Sequence, residues 1–394
     1  MKTLNIWPYV LILFFSCSNS GRNNDLKVGT SDAVDASYPA ILGESSKLPL
    51  NSIKLPAGFT IDIYAEVDDA RQMALSPSGT LFIGNRNSDK VYAVRDTDGD
   101  FKADKKWVLA SGLNMPNGVA FKDGDLYIAE VSRILRIRDV ENKLNNPGKP
   151  EVVYDKFPTD GHHGWKYIAF GPDEKLYVPV GAPCNICEPK PIYAAIHRMN
   201  PDGTGLELFA SGIRNTVGFT WHPETKNIWF TDNGRDSMGD EIPPCELNTA
   251  PQKGMHFGYP YCHAGTIKDP EFGSKRPCSD FTAPAQNMMP HSAPLGLRFY
   301  TGSQFPSEYK NKLFVAEHGS WNRSRTAGFN GYRISLLTIE GNKSVSYETF
   351  ADGWLGPDKL KYWGRPVDVL FLPDGSLLVS DDQADVVYRI SYKG

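Results

Sequence analysis

Apolar residues in this chain arrive in short bursts and not in helical stripes. A burst of strand length is followed by a turn rich in Pro, Asp and Gly, then by a second burst that ends on Gly or an acid. The phrase reads Met73-Ala-Leu-Ser-Pro-Ser-Gly-Thr-Leu-Phe-Ile-Gly84, then Val119 to Glu130, then Ile168-Ala-Phe-Gly-Pro-Asp-Glu-Lys-Leu-Tyr-Val-Pro-Val180. It returns at Val217 to Asp232, at Leu297 to Glu317, and at Val369-Leu-Phe-Leu-Pro-Asp-Gly-Ser-Leu-Leu-Val-Ser-Asp381. Each copy predicts a hairpin, because the turn residues suit tight reversals and the flanks suit half-buried strands. The first three copies are spaced by about 45 to 50 residues, the length of one four-stranded blade. Third strands are predicted at Val91 to Val94, Ile134 to Ile137, Ala195 to Met199 and Val387 to Ile390. The pattern therefore predicts an all-β, six-bladed β-propeller, with Gly58 to Tyr64 completing the last blade and closing the ring. The stretches 239–294 and 319–331 are too long for blade connections and are expected as functional loops on one face.

Composition narrows the partners. The chain has 394 residues, with 42 Lys and Arg against 46 Asp and Glu for a net charge of -4. Its basic residues are scattered, which excludes the basic stripe that a nucleic acid partner requires. At the N-terminus, Lys2, an apolar run from Leu4 to Phe15 and Ser16-Cys17-Ser18 form a signal-peptide layout. That run is short of the roughly 20 residues needed to span a bilayer. Residues 1–16 are expected to be a lipoprotein-type signal, Cys17 the lipidated residue, 17–50 a flexible tether and 51–394 the propeller. Such a protein is exported and anchored to a bacterial membrane, facing the periplasm or cell surface. Setting Cys17 aside, five cysteines remain, so one thiol is expected to be free. Cys184 and Cys187 read as a local disulfide, with a redox or zinc motif as the alternative, and Cys262 and Cys278 as a second bridge.

Chemistry-bearing residues gather where blades begin and end. His162 and His163 lie between Gly161 and Gly164, before a predicted inner strand. Adjacent strand positions face opposite ways, so one of the two is expected to reach a pocket, and histidine is the commonest general base. Gly212-Ile-Arg-Asn-Thr-Val-Gly218 offers Arg214 and Asn215 at the equivalent place one blade later. A carboxylate-rich glycine loop spans Thr231 to Asn248, and carboxylates and loop carbonyls suit calcium. Val315 to Arg323 combines His318, Trp321 and Arg323, and Trp363-Gly-Arg-Pro-Val-Asp368 supplies Arg365. Arg214, Arg323 and Arg365 are expected to converge on the channel, which suits a ligand with several carboxylates. Separately, Asp96, Asp98, Asp100 and Asp104 follow the oxygen spacing of a calcium loop, with Phe101 and Trp107 where an EF-hand has glycine and glutamate.

Six phrases together, His-Gly-Trp-Lys-Tyr-Ile-Ala-Phe-Gly-Pro-Asp, Arg-Asn-Thr-Val-Gly, Asp-Asn-Gly-Arg-Asp, His-Ser-Ala-Pro-Leu-Gly, His-Gly-Ser-Trp-Asn-Arg and Trp-Gly-Arg-Pro-Val, give the chain a resemblance. From about Leu55 to Tyr392 it resembles the glucose/sorbosone dehydrogenases, soluble quinoproteins using pyrroloquinoline quinone, and most closely the L-sorbosone dehydrogenase-like branch. The resemblance implies that His163 is the catalytic base. It implies that Arg214, Asn215, His318, Arg323 and Arg365 bind the cofactor. It implies a calcium held by the carbonyls of Gly234 and Arg235 with Asp240 nearby. Hydride would pass from an aldose or hydrated aldehyde sugar to the quinone, giving a lactone or acid. The chain departs from the family's glucose enzymes at His318, where they carry lysine, and at Val367, where they carry a second arginine. Cys245 stands where an acid is more usual. With no Cys-x-x-Cys-His haem attachment present, electrons would leave to a separate acceptor. A non-catalytic sugar-binding propeller and a calcium-dependent lactonase are the alternative readings.

Overall fold

The computed structural model describes residues 48–394; the predicted signal, Cys17 and nearly all of the tether lie outside them. Six four-stranded antiparallel sheets form the six blades of a propeller. Blade 1 runs Met73–Leu75, Leu81–Ile83, Val91–Arg95, Lys105–Ala110, and blade 2 runs Gly118–Lys122, Asp125–Ala129, Ile134–Ile137, Glu151–Tyr154. Blade 3 is Ala169–Phe170, Leu176–Val180, Ala195–Met199, Glu207–Ser211, and blade 4 is Phe219–Trp221, Ile228–Asp232, Cys245–Ala250, Gln286–Met288. Blade 5 is Pro294–Phe299, Leu313–Glu317, Arg333–Glu340, Lys343–Ala351. Blade 6 takes Pro366–Phe371, Leu377–Asp381 and Val386–Tyr392 from the end of the chain and its outermost strand, Phe59–Glu66, from the beginning.

That mixed blade closes the ring. Phe59 pairs with Tyr392 and Ile61 with Ile390 in antiparallel register. The joint is packed as well as hydrogen-bonded, since Phe59 meets the rings of Phe305, Tyr309, Phe350 and Tyr392 edge-on. Edge-to-face aromatic pairs add about 1 kcal/mol each beyond their buried area. Leu48 and Leu50 pack on the same cluster, so the folded part already begins within the segment expected to be tether.

The second strand of every blade is buried end to end or nearly so, and the apolar clusters lie between neighbouring blades. Outer strands such as Lys105–Ala110 alternate exposed and covered residues. At the axis the inner strands approach so closely that a Cβ at Gly218 would collide with the Leu295 carbonyl, and one at Gly296 with Asp368. Polar side chains stitch the axis together. Gln72 donates to Ile168 O at 2.6 Å and accepts from Ile168 N at 2.9 Å and Val119 N at 3.2 Å, which joins blades 1, 2 and 3. Asp368 accepts from Met73 N at 2.9 Å, joining blades 6 and 1. Below this layer a cavity of about 400 Å³ opens to the far face.

Both expected disulfides are present, Cys184–Cys187 and Cys262–Cys278, and Cys245 is the free, buried thiol. No helix among the described residues is long and apolar enough to cross a membrane.

Candidate active site

One end of the channel is set by two positions in each blade: the residues just before the inner strand and those just after the second strand. A buried second strand that must end at a solvent-facing mouth changes from apolar to polar there: that of blade 1 runs out into Gly84-Asn85-Arg86, that of blade 5 into Glu317-His318 and that of blade 6 into Asp381-Asp382. The turn before blade 3 carries the histidines.

His163 sits in a tight turn closed by Gly164 N donating to Gly161 O at 3.1 Å, and its own φ is 51°. The pair is therefore not on a strand, and the expectation that the two rings face opposite ways is corrected: their centroids lie 4.0 Å apart. His163 Nδ1 donates to the Ala182 carbonyl at 2.9 Å. A carbonyl only accepts, so Nδ1 carries the hydrogen and Nε2 keeps its lone pair. Burial, then the positive charge of Arg214 and the neighbouring His162, push the His163 pKa down to about 2, so the ring is neutral. Gly181 makes room for it, since a Cβ there would stand 2.6 Å from the His163 Cβ. Beneath the turn, buried Lys166 donates to Gly164 O at 2.9 Å and to Val131 O, and burial pushes its pKa down to about 7.

The floor of the mouth is apolar and flat. Trp165 packs on Val217, Leu295 and Val367, from the entrances to blades 4, 5 and 6. Val367, where the glucose enzymes of the resembled family carry arginine, thus serves as floor. The Arg86 guanidinium lies 4.0 Å above the Trp165 ring, and Trp165 meets His163 edge-on at 6.2 Å. Arg86 Nε and Trp165 Nε1 are both buried without a hydrogen-bond partner. Burial, reinforced by Arg71 and Arg365, pushes the Arg86 pKa down to about 10. Its backbone is pinned by Asp69, whose Oδ2 accepts from Arg86 N at 2.6 Å.

Arg365 donates only to main chain, Nε to His318 O at 3.0 Å and Nη2 to Gly319 O at 2.7 Å. His318 Nε2 donates to Asp382 at 2.7 Å, and Asp382 accepts Arg71 Nη1 at 2.6 Å on its other oxygen. Burial holds His318 neutral with a pKa of about 3, while His318 and Arg71 keep Asp382 ionised.

The other expected residues divide by employment. Arg214 is committed to Asn185, to Asn233 O and, at 3.1 Å, to Asp236. Asn215 is buried and its amide group has no hydrogen bond among the described residues, although its main-chain N donates to Asp232 at 2.7 Å. Arg323 is committed between loops: it donates to Gly328 O within its own loop, 319–331, and ties that loop to 233–244 through Asp240 O and Glu241. Asp240 accepts Ser324 N and Oγ at 2.7 Å each. The Arg235 side chain pairs with Asp269 and Glu271, while no protein donor reaches the carbonyls of Gly234 and Arg235 among the described residues. Behind them Asp232 and Glu246 are cross-strand partners, both buried; burial, with Glu246 adding to it, pushes Asp232 up to about 7. Asp96, Asp98 and Asp100 bring carboxylate oxygens within 4.8 Å of one another, whereas Asp104 is turned onto Thr97.

Arg86, Trp165, Arg71 and Asp382 are the site residues that sequence reasoning missed. A signal for Arg86 existed, because it occupies the same place in blade 1 that His318 occupies in blade 5.

Residues 45–389 match the model of a family described as a domain of unknown function (DUF7133), and the chain belongs to that family. It is 34% identical to an uncharacterized protein of Borreliella burgdorferi over 358 residues, covering 87% of this chain and 92% of that one. A second relative, the uncharacterized protein slr1608 of Synechocystis, is 26% identical over 59% of this chain and 57% of its own length. Among solved structures, the fold is similar to a Trichoderma reesei carbohydrate-active enzyme of family AA12, with a TM-score of 0.72 and 19% identity over 86% of this chain and 97% of that one. The PQQ domain of a pyranose dehydrogenase from Coprinopsis cinerea matches with a TM-score of 0.70 and 17% identity over 86% and 97% of the two chains. The PQQ-bound aldose sugar dehydrogenase of Streptomyces coelicolor matches with a TM-score of 0.61 and 20% identity over 86% and 99%.

Proposed function

We propose that this member of the DUF7133 family is a quinoprotein oxidoreductase of the glucose/sorbosone dehydrogenase kind. It binds pyrroloquinoline quinone and calcium at the channel mouth and oxidises an aldose or sorbosone-like aldehyde sugar to its lactone or acid. The observation that carries this reading is the half-buried Arg86 guanidinium, whose Nε is buried without a hydrogen-bond partner, lying over the Trp165 ring and beside a neutral His163 whose Nε2 is free. Desolvated guanidinium without a partner is unfavourable, and a planar ligand bearing carboxylates would relieve it. The similar folds include the PQQ domain of a pyranose dehydrogenase and a PQQ-bound aldose sugar dehydrogenase, which supports the same class.

Arg86 and Arg365 fit the carboxylates, Trp165 the ring face, Asn215 a carbonyl or hydroxyl, and the free carbonyls of Gly234 and Arg235 a hard cation. Pyrroloquinoline quinone held there would supply the hydride acceptor for the carbinol carbon, and calcium would supply Lewis acidity. The substrate hydroxyl proton goes to His163 Nε2, the only ring nitrogen with a lone pair. The imidazolium that forms is steadied by the Nδ1 hydrogen bond to Ala182 O. Burial, then Arg214, His162 and Arg86, hold His163 neutral, and a carboxylate brought against Arg86 would offset that last, smaller contribution. The ring of Trp165 and the side chains of Val217, Leu295 and Val367 seal the floor against water entering from below.

The reading extends to a structural calcium at Asp96, Asp98 and Asp100, supported by their convergence. It also extends to residues 1–16 directing export, Cys17 carrying a lipid anchor, and electrons leaving to a separate acceptor. Reconstitution of the full chain with pyrroloquinoline quinone and calcium tests the central claim: an absorbance titration should saturate and sugars should reduce a dye. Neither binding nor dye reduction with any aldose or osone would overturn it.

A further inference from the structure

We infer that Trp321 is the platform on which the substrate's pyranose ring stacks, an inference that rests on the sugar-oxidising reading above. Trp321 leaves 54% of its surface in water. Other exposed large apolar side chains have a local explanation. Val108, Val152, Leu208 and Val345 lie on the outermost strands of blades 1, 2, 3 and 5, facing away from the axis. Phe101 is capped by the Arg389 guanidinium at 3.9 Å. Trp321 and Ile242, by contrast, stand on the two long loops that Arg323 ties together at the mouth.

The loop around Trp321 is held on both sides while the indole itself is left open. Ser320 N donates to Asn330 O at 3.0 Å, Asn330 N donates to Ser320 Oγ at 3.0 Å, and Tyr332 OH donates to Ser320 O at 2.6 Å. On the other side Asn322 donates to Asp236, Arg323 pairs with Glu241 at 2.8 Å, and Ser324 is bound to Asp240. A loop ordered by its neighbours presents its aromatic ring at little further entropic cost, which is what a recognition platform needs. The same contacts locate it. Asp236, which takes the Asn322 hydrogen bond, is also the carboxylate paired with Arg214, and it faces His162 closely enough to raise that ring's basicity against the other influences on it. Trp321 is therefore one residue removed from a chain of contacts leading to the histidine turn. A pyranose presents a face of C–H bonds suited to an indole face and hydroxyls suited to the surrounding polar rim.

The test compares the full chain with its Trp321→Ala and Trp321→Tyr variants, loaded with pyrroloquinoline quinone and calcium. Trp321→Ala should raise KM for aldopyranoses roughly five- to tenfold with kcat within about twofold, and Trp321→Tyr should recover most of the loss. Glycolaldehyde, which has no ring, should show no change. Aldopyranoses should also quench the indole fluorescence of the parent protein, loaded or not, and quench it less in the variants. An unchanged pyranose KM, an equal effect on glycolaldehyde, or a change confined to the KM of the dye acceptor would each overturn the inference while quinone binding and turnover leave the broader reading intact. Failure of the parent protein to bind quinone sinks the broader reading instead, and the fluorescence titration then decides Trp321 by itself.

Discussion

Arg86 gives the sharpest expected outcome, because the folded protein gains little from it without a ligand. Its guanidinium stacks on Trp165 at 4.0 Å, has no hydrogen-bond partner at Nε, and is already held below the usual arginine range by burial and by Arg71 and Arg365. Replacing it with methionine removes a stacking contact of about 1 kcal/mol but also removes the desolvation of a partly buried charge whose Nε has no hydrogen-bond partner. The two effects oppose each other, so stability should stay within about 1 kcal/mol of the parent. Ligand binding has no such offset. A charge-assisted hydrogen bond is worth about 2 kcal/mol, so the Kd for pyrroloquinoline quinone should rise about thirtyfold in Arg86→Met. Urea unfolding and an absorbance titration of the quinone, run on the same preparations, separate the two quantities. An unchanged Kd would refute the assignment of Arg86 as the anion clamp. A large loss of stability would refute the claim that the apo protein derives little from it.

Three further outcomes follow. His163→Ala should abolish turnover while the quinone Kd moves by less than about threefold, read by steady-state kinetics beside the titration, because the imidazole handles the substrate proton and not the clamp. Acid should destabilise the fold through the buried histidines: folded His163 and His318 stay neutral down to about pH 2 and 3, whereas their unfolded forms take up protons below about 6.5, so the unfolded state binds more protons and stability falls as pH drops through that window. Between pH 5.5 and 4.5 each such group contributes about 1 kcal/mol per pH unit, so His318→Gln should flatten the loss measured by urea midpoints, and parallel curves would speak against it. Phe59→Ala should cost about 3 kcal/mol in denaturant unfolding by opening the ring closure against Phe305, Phe350 and Tyr392, with the quinone Kd unchanged; a loss below about 1 kcal/mol would mean the closure does not depend on that cluster.

Sequence alone determined the scaffold, because strand alternation and turn chemistry act over a few residues and the repeat multiplied the signal. The hairpins from Met73, Val119, Ile168, Val217, Leu297 and Val369 all appear as the inner strands of successive blades, and Phe59–Glu66 closes the ring as the pattern required. Both disulfides were legible for the same reason, since each joins cysteines at most 16 residues apart. Residue chemistry pointed to the His162-His163 pair and the resemblance to His163 within it, but only the fold supplied its protonation, through the Ala182 carbonyl and burial.

Tertiary structure decided how the charged residues are employed. Arg323, grouped with Arg365 by its type and its place in the repeat, is taken by Asp240 O and Glu241 from a loop more than 80 residues away. Arg86 has no local motif, and its importance comes from what it lacks, a fact that exists only once Trp165 from another blade lies under it. Side-chain pairing across blades joins residues that are distant in the chain and adjacent in space, so periodicity along the sequence could place these arginines at the mouth without showing which of them remain free to hold a ligand.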